Sequence, residues 1–168
     1  ISSCRALAVT HCAYAYAVIL DGTSFGRLVY SGDCRPSNQL ADAANGADLL
    51  IHEATFETGM EAEAALKKHS TVGEALSVAD RMQAKCIVLT HFSQRYPKIS
   101  PTPAERQGSL PIVFAFDFMR LTRHNLEVAS KITPALRLLY PPEDCKDDDV
   151  KLEQISNAQV AMSVPGLF

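Results

Sequence analysis

Residues 71–91 read TVGEALSVADRMQAKCIVLTH. Thr71, with Glu74 three positions on, has the form of a capping box, in which two side chains satisfy orphan backbone N–H groups at a helix start. Val72, Ala75, Leu76, Ala79 and Met82 then recur at helical spacing and form one apolar face. Such a face needs a flat apolar partner. The uninterrupted apolar run 86–90 that follows is the kind of strand that a parallel sheet buries on both faces. An amphipathic helix feeding directly into a doubly buried strand implies α/β layering.

Upstream, 48–52 is a second buried strand and 57–67 a further helix. A short helix precedes them, from Ser37 as N-cap to Ala44, with Asn45-Gly46 as its stop. The segments 6–9, 14–20 and 27–30 are short strands, and Asp21-Gly22 is the turn dipeptide expected to close a hairpin between the last two. Downstream, Pro97, Pro101 and Pro103 mark 96–108 as an extended loop. Residues 112–118 form another strand candidate, and 133–139 a short helix or turn. From Glu143 onward, acidic residues and weak periodicity predict a mobile tail. The expected organisation is one domain over 1–140 and a tail over 141–168.

The 168 residues are 47% hydrophobic and 21% charged, a balance that excludes bulk disorder. The apolar runs 13–20 and 112–116 are far shorter than the roughly 20 residues of a membrane helix. Five cysteines without a C-x-x-C pair argue against a complete disulfide framework and for a reducing compartment. A net charge of −3 excludes a basic module held to nucleic acid by phosphate neutralisation, so any grip on RNA has to be local or supplied by other chain. Ile1 opens the chain with no basic n-region behind it, and the sequence is expected to be part of something longer.

Metal-competent residues gather at strand ends. Asp33 follows 28–30, His52-Glu53 follow 49–51, His91 follows 87–90, and His11 follows the first apolar segment. In layered α/β proteins that edge is where sites are assembled, because the strands hold the first loop residues rigidly. Imidazole with carboxylate suits a borderline cation such as zinc. In a two-metal hydrolytic site one carboxylate can bridge ions about 3.5–4 Å apart, and Asp33 is the candidate bridge. A single strand-end histidine is more often structural; four placements together favour a site.

The runs Tyr30-Ser31-Gly32-Asp33, Ile51-His52-Glu53-Ala54-Thr55, His69-Ser70-Thr71 and Leu89-Thr90-His91-Phe92-Ser93-Gln94-Arg95-Tyr96, with His11-Cys12 upstream, resemble the tRNase Z family in order and spacing. Residues 115–119, Ala-Phe-Asp-Phe-Met, are similar to a segment near the end of the catalytic half of its long forms. The resemblance implies a metallo-β-lactamase-type αββα sandwich, present here as its C-terminal half. It implies two zinc ions, with His11, Asp33 and His91 as ligands and Asp33 as the bridge. It also implies that His69 is the general acid, that Glu53 of the His-Glu-Ala-Thr loop orients that region, and that His52 supports the loop. A histidine suits that role because its ordinary pKa lies near neutrality.

The implied activity is endonucleolytic removal of the 3′ trailer from precursor tRNA, in the nucleus or mitochondrion. The remaining ligands are expected from a His-x-His-x-Asp-His motif, which is absent here. The implied partners are therefore precursor tRNA and the upstream part of the same enzyme, and this chain alone is expected to be inactive. Two alternatives stand beside this reading: another zinc phosphodiesterase or RNA-processing nuclease of the same fold, and a non-catalytic half that binds RNA or a partner half.

Two positions depart from the family pattern: Ala17 stands where Gly is usual, and Cys34 where Thr is usual, which raises Cys34 as a further metal contact. Arg35, Arg95 and Lys98 are candidates for phosphate contact or plain solvation, with Arg95 favoured because it adjoins His91. Asp117 either meets the tRNA end or caps a turn. His124, between Arg123 and Asn125, is expected to be structural.

Overall fold

In a computed structural model, residues 1–93, 110–133 and 135 are described. They form one six-stranded sheet in sequence order. Its strands are β1 (Ser3–Ala8), β2 (Tyr16–Thr23), β3 (Gly26–Tyr30), β4 (Leu49–Glu53), β5 (Ile87–Thr90) and β6 (Ile112–Phe114). The helices are α1 (Asn38–Ala43), α2 (Glu61–Lys67), α3 (Val72–Met82) and α4 (Leu126–Lys131). Strands β1 to β3 run antiparallel, and β3 to β6 are parallel. No helix among the described residues is long and apolar enough to cross a membrane.

The apolar face of α3 packs as its spacing predicts. Val72, Ala75, Leu76, Ala79 and Met82 join Leu40 and Ala41 of α1 over Ile19, Val29, Leu50, Ile87 and Leu89 of the sheet. Alternate residues Leu49, Val88 and Val113 point to the other face and meet Ala129 of α4 and Ile132 just beyond it. Truncating a residue as enclosed as Met82 or Leu50 to Ala is expected to cost about 2–5 kcal/mol. The capping box of Thr71 and Glu74 and the Ser37 cap of α1 both form.

Three local expectations are corrected. Asp21-Gly22 does not close the hairpin: β2 runs on to Thr23, with a register shift between Leu20 and Thr23 that Gly22 accommodates at φ 72°. The turn lies at Ser24-Phe25, where the Thr23 hydroxyl donates to the Gly26 carbonyl and accepts from the Phe25 N–H. Asp21 instead pairs with Arg27 and Ser3. Helix α2 begins at Glu61 rather than 57, after a turn in which the Met60 N–H bonds to Glu57 and Gly59 takes φ 99°. The last strand stops at Phe114, because a turn from Phe116 to Met119 follows, with Phe118 at φ 64°. Helix α4, absent from the expectations, occupies 126–131. The proline-rich loop and the tail lie outside the described residues.

Because β3, β4, β5 and β6 are parallel, their C-terminal ends share one edge of the sheet. Ala8 pairs with Tyr16, and Val18 with Tyr30, so the turn joining β1 to β2 reaches the same edge. Residues 11, 33, 53, 91 and 117 are thereby delivered to one place by topology.

Candidate metal centre

Glu53 is the last residue of β4 and is 1% exposed. Its Oε1 accepts from the Cys34 N–H at 2.9 Å and from His69 Nδ1 at 2.8 Å. Its Oε2 accepts from the Thr55 hydroxyl at 2.7 Å and the Thr55 N–H at 3.1 Å. Burial pushes the carboxyl up, but the hydrogen bonds from Thr55, Cys34, Ser70 and His69 outweigh it and hold Glu53 below the usual carboxylate range. It is an ionised, fully engaged anchor.

Thr55 fixes the neighbouring rings. A carboxylate only accepts, so the Thr55 hydroxyl spends its proton on Glu53 and takes a ring N–H from His91 Nδ1 at 2.7 Å. His69 Nδ1 lies at 3.3 Å from the same oxygen, a longer contact beside its bond to Glu53. With Nδ1 protonated, neutral His91 presents a lone pair at Nε2. His11 is set the same way, with Nδ1 donating to the Lys68 carbonyl at 3.0 Å. The two Nε2 atoms face Asp33 Oδ2 at 3.6 Å from His91 and 4.0 Å from His11.

Three electron-rich atoms thus converge with no proton assigned between them. A cation is the chemical complement of that arrangement, and the donor set of two imidazoles and a carboxylate fits zinc. Asp33 lies between the two histidines. His11, Asp33 and His69 form one group whose ligand atoms lie within 4.8 Å of one another, and Glu53, His69 and His91 form another. The expected trio His11, Asp33 and His91 coincides with neither group: Asp33 faces both histidines, but the residue the two groups share is His69. The ring of His69 stacks on that of His91, with centroids 5.3 Å apart, and is tilted by 55° to that of His11, with centroids 4.6 Å apart. Its Nδ1 is taken by Glu53, which leaves Nε2 as its second ring nitrogen.

His91 takes φ 61°, an uncommon conformation for a non-glycine residue and one often found at functional sites. A cavity of approximately 610 Å³ beside it is lined by Thr90, His91, Phe92, Ala115, Phe116 and Asp117. Asp117 is exposed in this cleft and His124 lies exposed in a turn away from the site. His52 is fully buried, with Nδ1 donating to the Glu53 carbonyl at 2.7 Å and Nε2 without a partner. Burial pushes its pKa down and keeps the ring neutral.

Two candidates change character. Cys34 is buried, belongs to neither donor group among the described residues, and burial next to Glu53 pushes its thiol up to about 12. It is a packed thiol outside both donor groups. Arg35 is neither solvated nor free for phosphate, because its guanidinium grips Glu74 and the His69 carbonyl. Arg95 and Lys98 lie outside the described residues. The sequence reading assigned no role to Thr55, although it is the fourth residue of the quoted His-Glu-Ala-Thr run.

Known proteins bear on this site. Residues 5–92 match the family described as the β-lactamase superfamily domain. The chain is 38% identical over 151 residues to ribonuclease Z 1 of Schizosaccharomyces pombe, covering 90% of this chain and 18% of that protein. It is 43% identical over 135 residues to the human zinc phosphodiesterase ELAC protein 2, covering 79% of this chain and 16% of that one. A crystal structure of a long-form RNase Z from yeast superposes with a TM-score of 0.72 at 32% identity, over 80% of this chain and 19% of that one. The chain spans less than a fifth of the length of these relatives. The strand-end motifs lie within the matched segment, and the chain belongs to the β-lactamase superfamily, with relatives named ribonuclease Z and zinc phosphodiesterase.

Proposed function

We propose that this chain is a part of a ribonuclease Z-type endoribonuclease that removes the 3′ trailer from precursor tRNA, and that it contributes one side of a two-zinc site. The observation that carries the reading is the convergence of His11 Nε2 and His91 Nε2 on Asp33 Oδ2, beside a histidine tied to a buried glutamate. His11, Asp33 and His91 would hold the metal on this side of the site. Zinc, when bound, supplies positive charge that acidifies water and offsets charge on a phosphate.

The chain's own residues supply orientation and a proton. Glu53 holds His69 through Nδ1, so that its Nε2 can carry a proton to the leaving 3′-oxygen. Thr55 keeps Nδ1 of His91 protonated and so keeps Nε2 free as a ligand atom. Asp117, which lines the cleft beside His91, would meet the RNA end. The remaining ligands come from a segment carrying the His-x-His-x-Asp-His motif, which this chain does not contain.

The test is cleavage of a precursor tRNA by this chain alone and after mixing with that segment. Cleavage only on mixing, leaving a mature 3′-hydroxyl end and lost in Asp33→Ala, is expected. Cleavage by the chain alone, or full activity in Asp33→Ala, contradicts the assignment. A zinc-dependent activity on other phosphodiesters with no action on precursor tRNA would keep the metal site and remove the substrate.

A further inference from the structure

Three separate loops deliver His11, Asp33 and His69, and one residue, through its backbone and its side chain, ties them together. Arg35, two residues after Asp33, donates its backbone N–H to the Thr10 carbonyl at 2.9 Å, next to His11. Its guanidinium donates to the His69 carbonyl at 2.5 Å and to Glu74 Oε2 at 2.9 Å through Nη1, and to Glu74 Oε1 through Nη2. Glu74 is the N3 residue of the α3 capping box, where it accepts the Thr71 N–H at 3.0 Å. The side chains of Arg35 and Glu74 are only 22% and 19% exposed.

The connection this fork clamps is also held by the His69 N–H on the Ala64 carbonyl at 2.9 Å and by the Phe56 N–H on the Ser70 carbonyl at 3.2 Å, so the fork adds the bond at the His69 carbonyl that lies between them. Lys68 takes the left-handed conformation at φ 59°, and His69 follows before α3 begins. The His69 ring makes its bond to Glu53 at 2.8 Å, so a small rotation of its backbone would break the alignment of Nδ1 with Oε1. The His69 N–H, on the Ala64 carbonyl, and the His69 carbonyl are the two points at which such a rotation is resisted, and Arg35 is bonded to the second.

We propose that Arg35 is a positioning residue for His69, its planar fork locking the His69 backbone to the start of α3 so that the imidazole stays aligned with Glu53. Its charge is spent on Glu74 rather than offered to RNA phosphate. A lysine would keep the charge but, as a point donor, could not span the carboxylate and the carbonyl in one plane. The catalytic consequence rests on the reading of His69 as proton donor; the positioning itself does not.

The test uses Arg35→Lys and Arg35→Gln, read first by ¹⁵N-edited histidine side-chain spectra of this chain. The His69 Nδ1–H signal is expected to shift or broaden in both variants, while that of His52, buried under the sheet's own carbonyl bond, stays in place. In the longer enzyme, both variants are expected to lower kcat for trailer cleavage by about 10–100-fold with KM within about twofold, because the substrate still binds but the proton donor is misplaced. An unchanged His69 signal, or Arg35→Lys with wild-type kcat and wild-type spectra, overturns the proposal. So does simultaneous loss of the His52 and His69 signals in both variants, which would make Arg35 a general structural residue. A raised KM with unchanged kcat and a steeper loss at high salt would make it a phosphate contact instead. A shifted His69 signal with unchanged cleavage would leave the positioning intact and remove His69 from the reaction.

Discussion

The two sides of the site are built by opposite means. Around Glu53, every carboxylate oxygen is engaged by this chain's own donors, from Cys34, Thr55, Ser70 and His69, and the group is enclosed. Around Asp33, two imidazole lone pairs face a carboxylate that is 36% exposed, at separations too long for hydrogen bonds. The first side is complete as it stands. The second gathers donor atoms without satisfying them. Such a cluster is tolerated where it faces solvent or a cation, and under the proposed reading it is the Asp33 side that takes the metal.

The largest expected break in this contrast is Glu53→Ala. It leaves several donors without an acceptor in a buried position and should lower stability by about 3 kcal/mol or more, measured by urea unfolding. A loss no larger than that of a surface change would mean the Glu53 side is not the self-satisfied anchor described. Next is Thr55→Val, which keeps shape and removes the hydroxyl. It is expected to cost about 1–2 kcal/mol and to weaken zinc binding about tenfold by releasing the His91 tautomer, read by unfolding and by chelator competition. Equal affinity in wild type and variant would show that Thr55 does not link the two sides.

A smaller effect comes from His52. Its folded pKa lies below the unfolded value of 6.5, so at pH above 6.5 the ring is neutral in both states and contributes no pH dependence. As pH falls below 6.5, the unfolded chain takes up a proton that the folded chain refuses, and stability drops by up to about 1.4 kcal/mol per pH unit. Comparing melting at pH 7.5 and 5.5 should show this drop in wild type and a flatter response in His52→Gln; parallel responses would count against a neutral buried ring. Least of all, Cys34→Ser should leave zinc stoichiometry unchanged, and loss of an equivalent of metal would restore Cys34 as a ligand.

Much of this was legible because the decisive signals are local. The cap and spacing of 71–82 and the apolar run 86–90 define a helix and strand with no tertiary information. What escaped is long-range or conformational. Asp21-Gly22 has turn composition, but Asp21 is bound to Arg27 and Ser3, and the chain uses Gly22 for a bulge instead. Helix α4 is one and a half turns long and owes its place to packing of Ala129 and Ile132 on the sheet, which a six-residue pattern does not reveal. The candidate donors were visible as strand-end residues, whereas the work of Thr55 and Arg35 depends on partners 36 and 39 positions away.

The most direct test of the central claim is zinc titration of this chain followed by histidine side-chain ¹⁵N spectra, in wild type and Asp33→Ala. Zinc is expected to move the Nε2 signals of His11 and His91 while leaving those of His52 and His124 in place, and Asp33→Ala is expected to weaken that response by at least about 100-fold. An undiminished response in Asp33→Ala, or zinc shifts at His52 and His124 with none at His11 and His91, would contradict it.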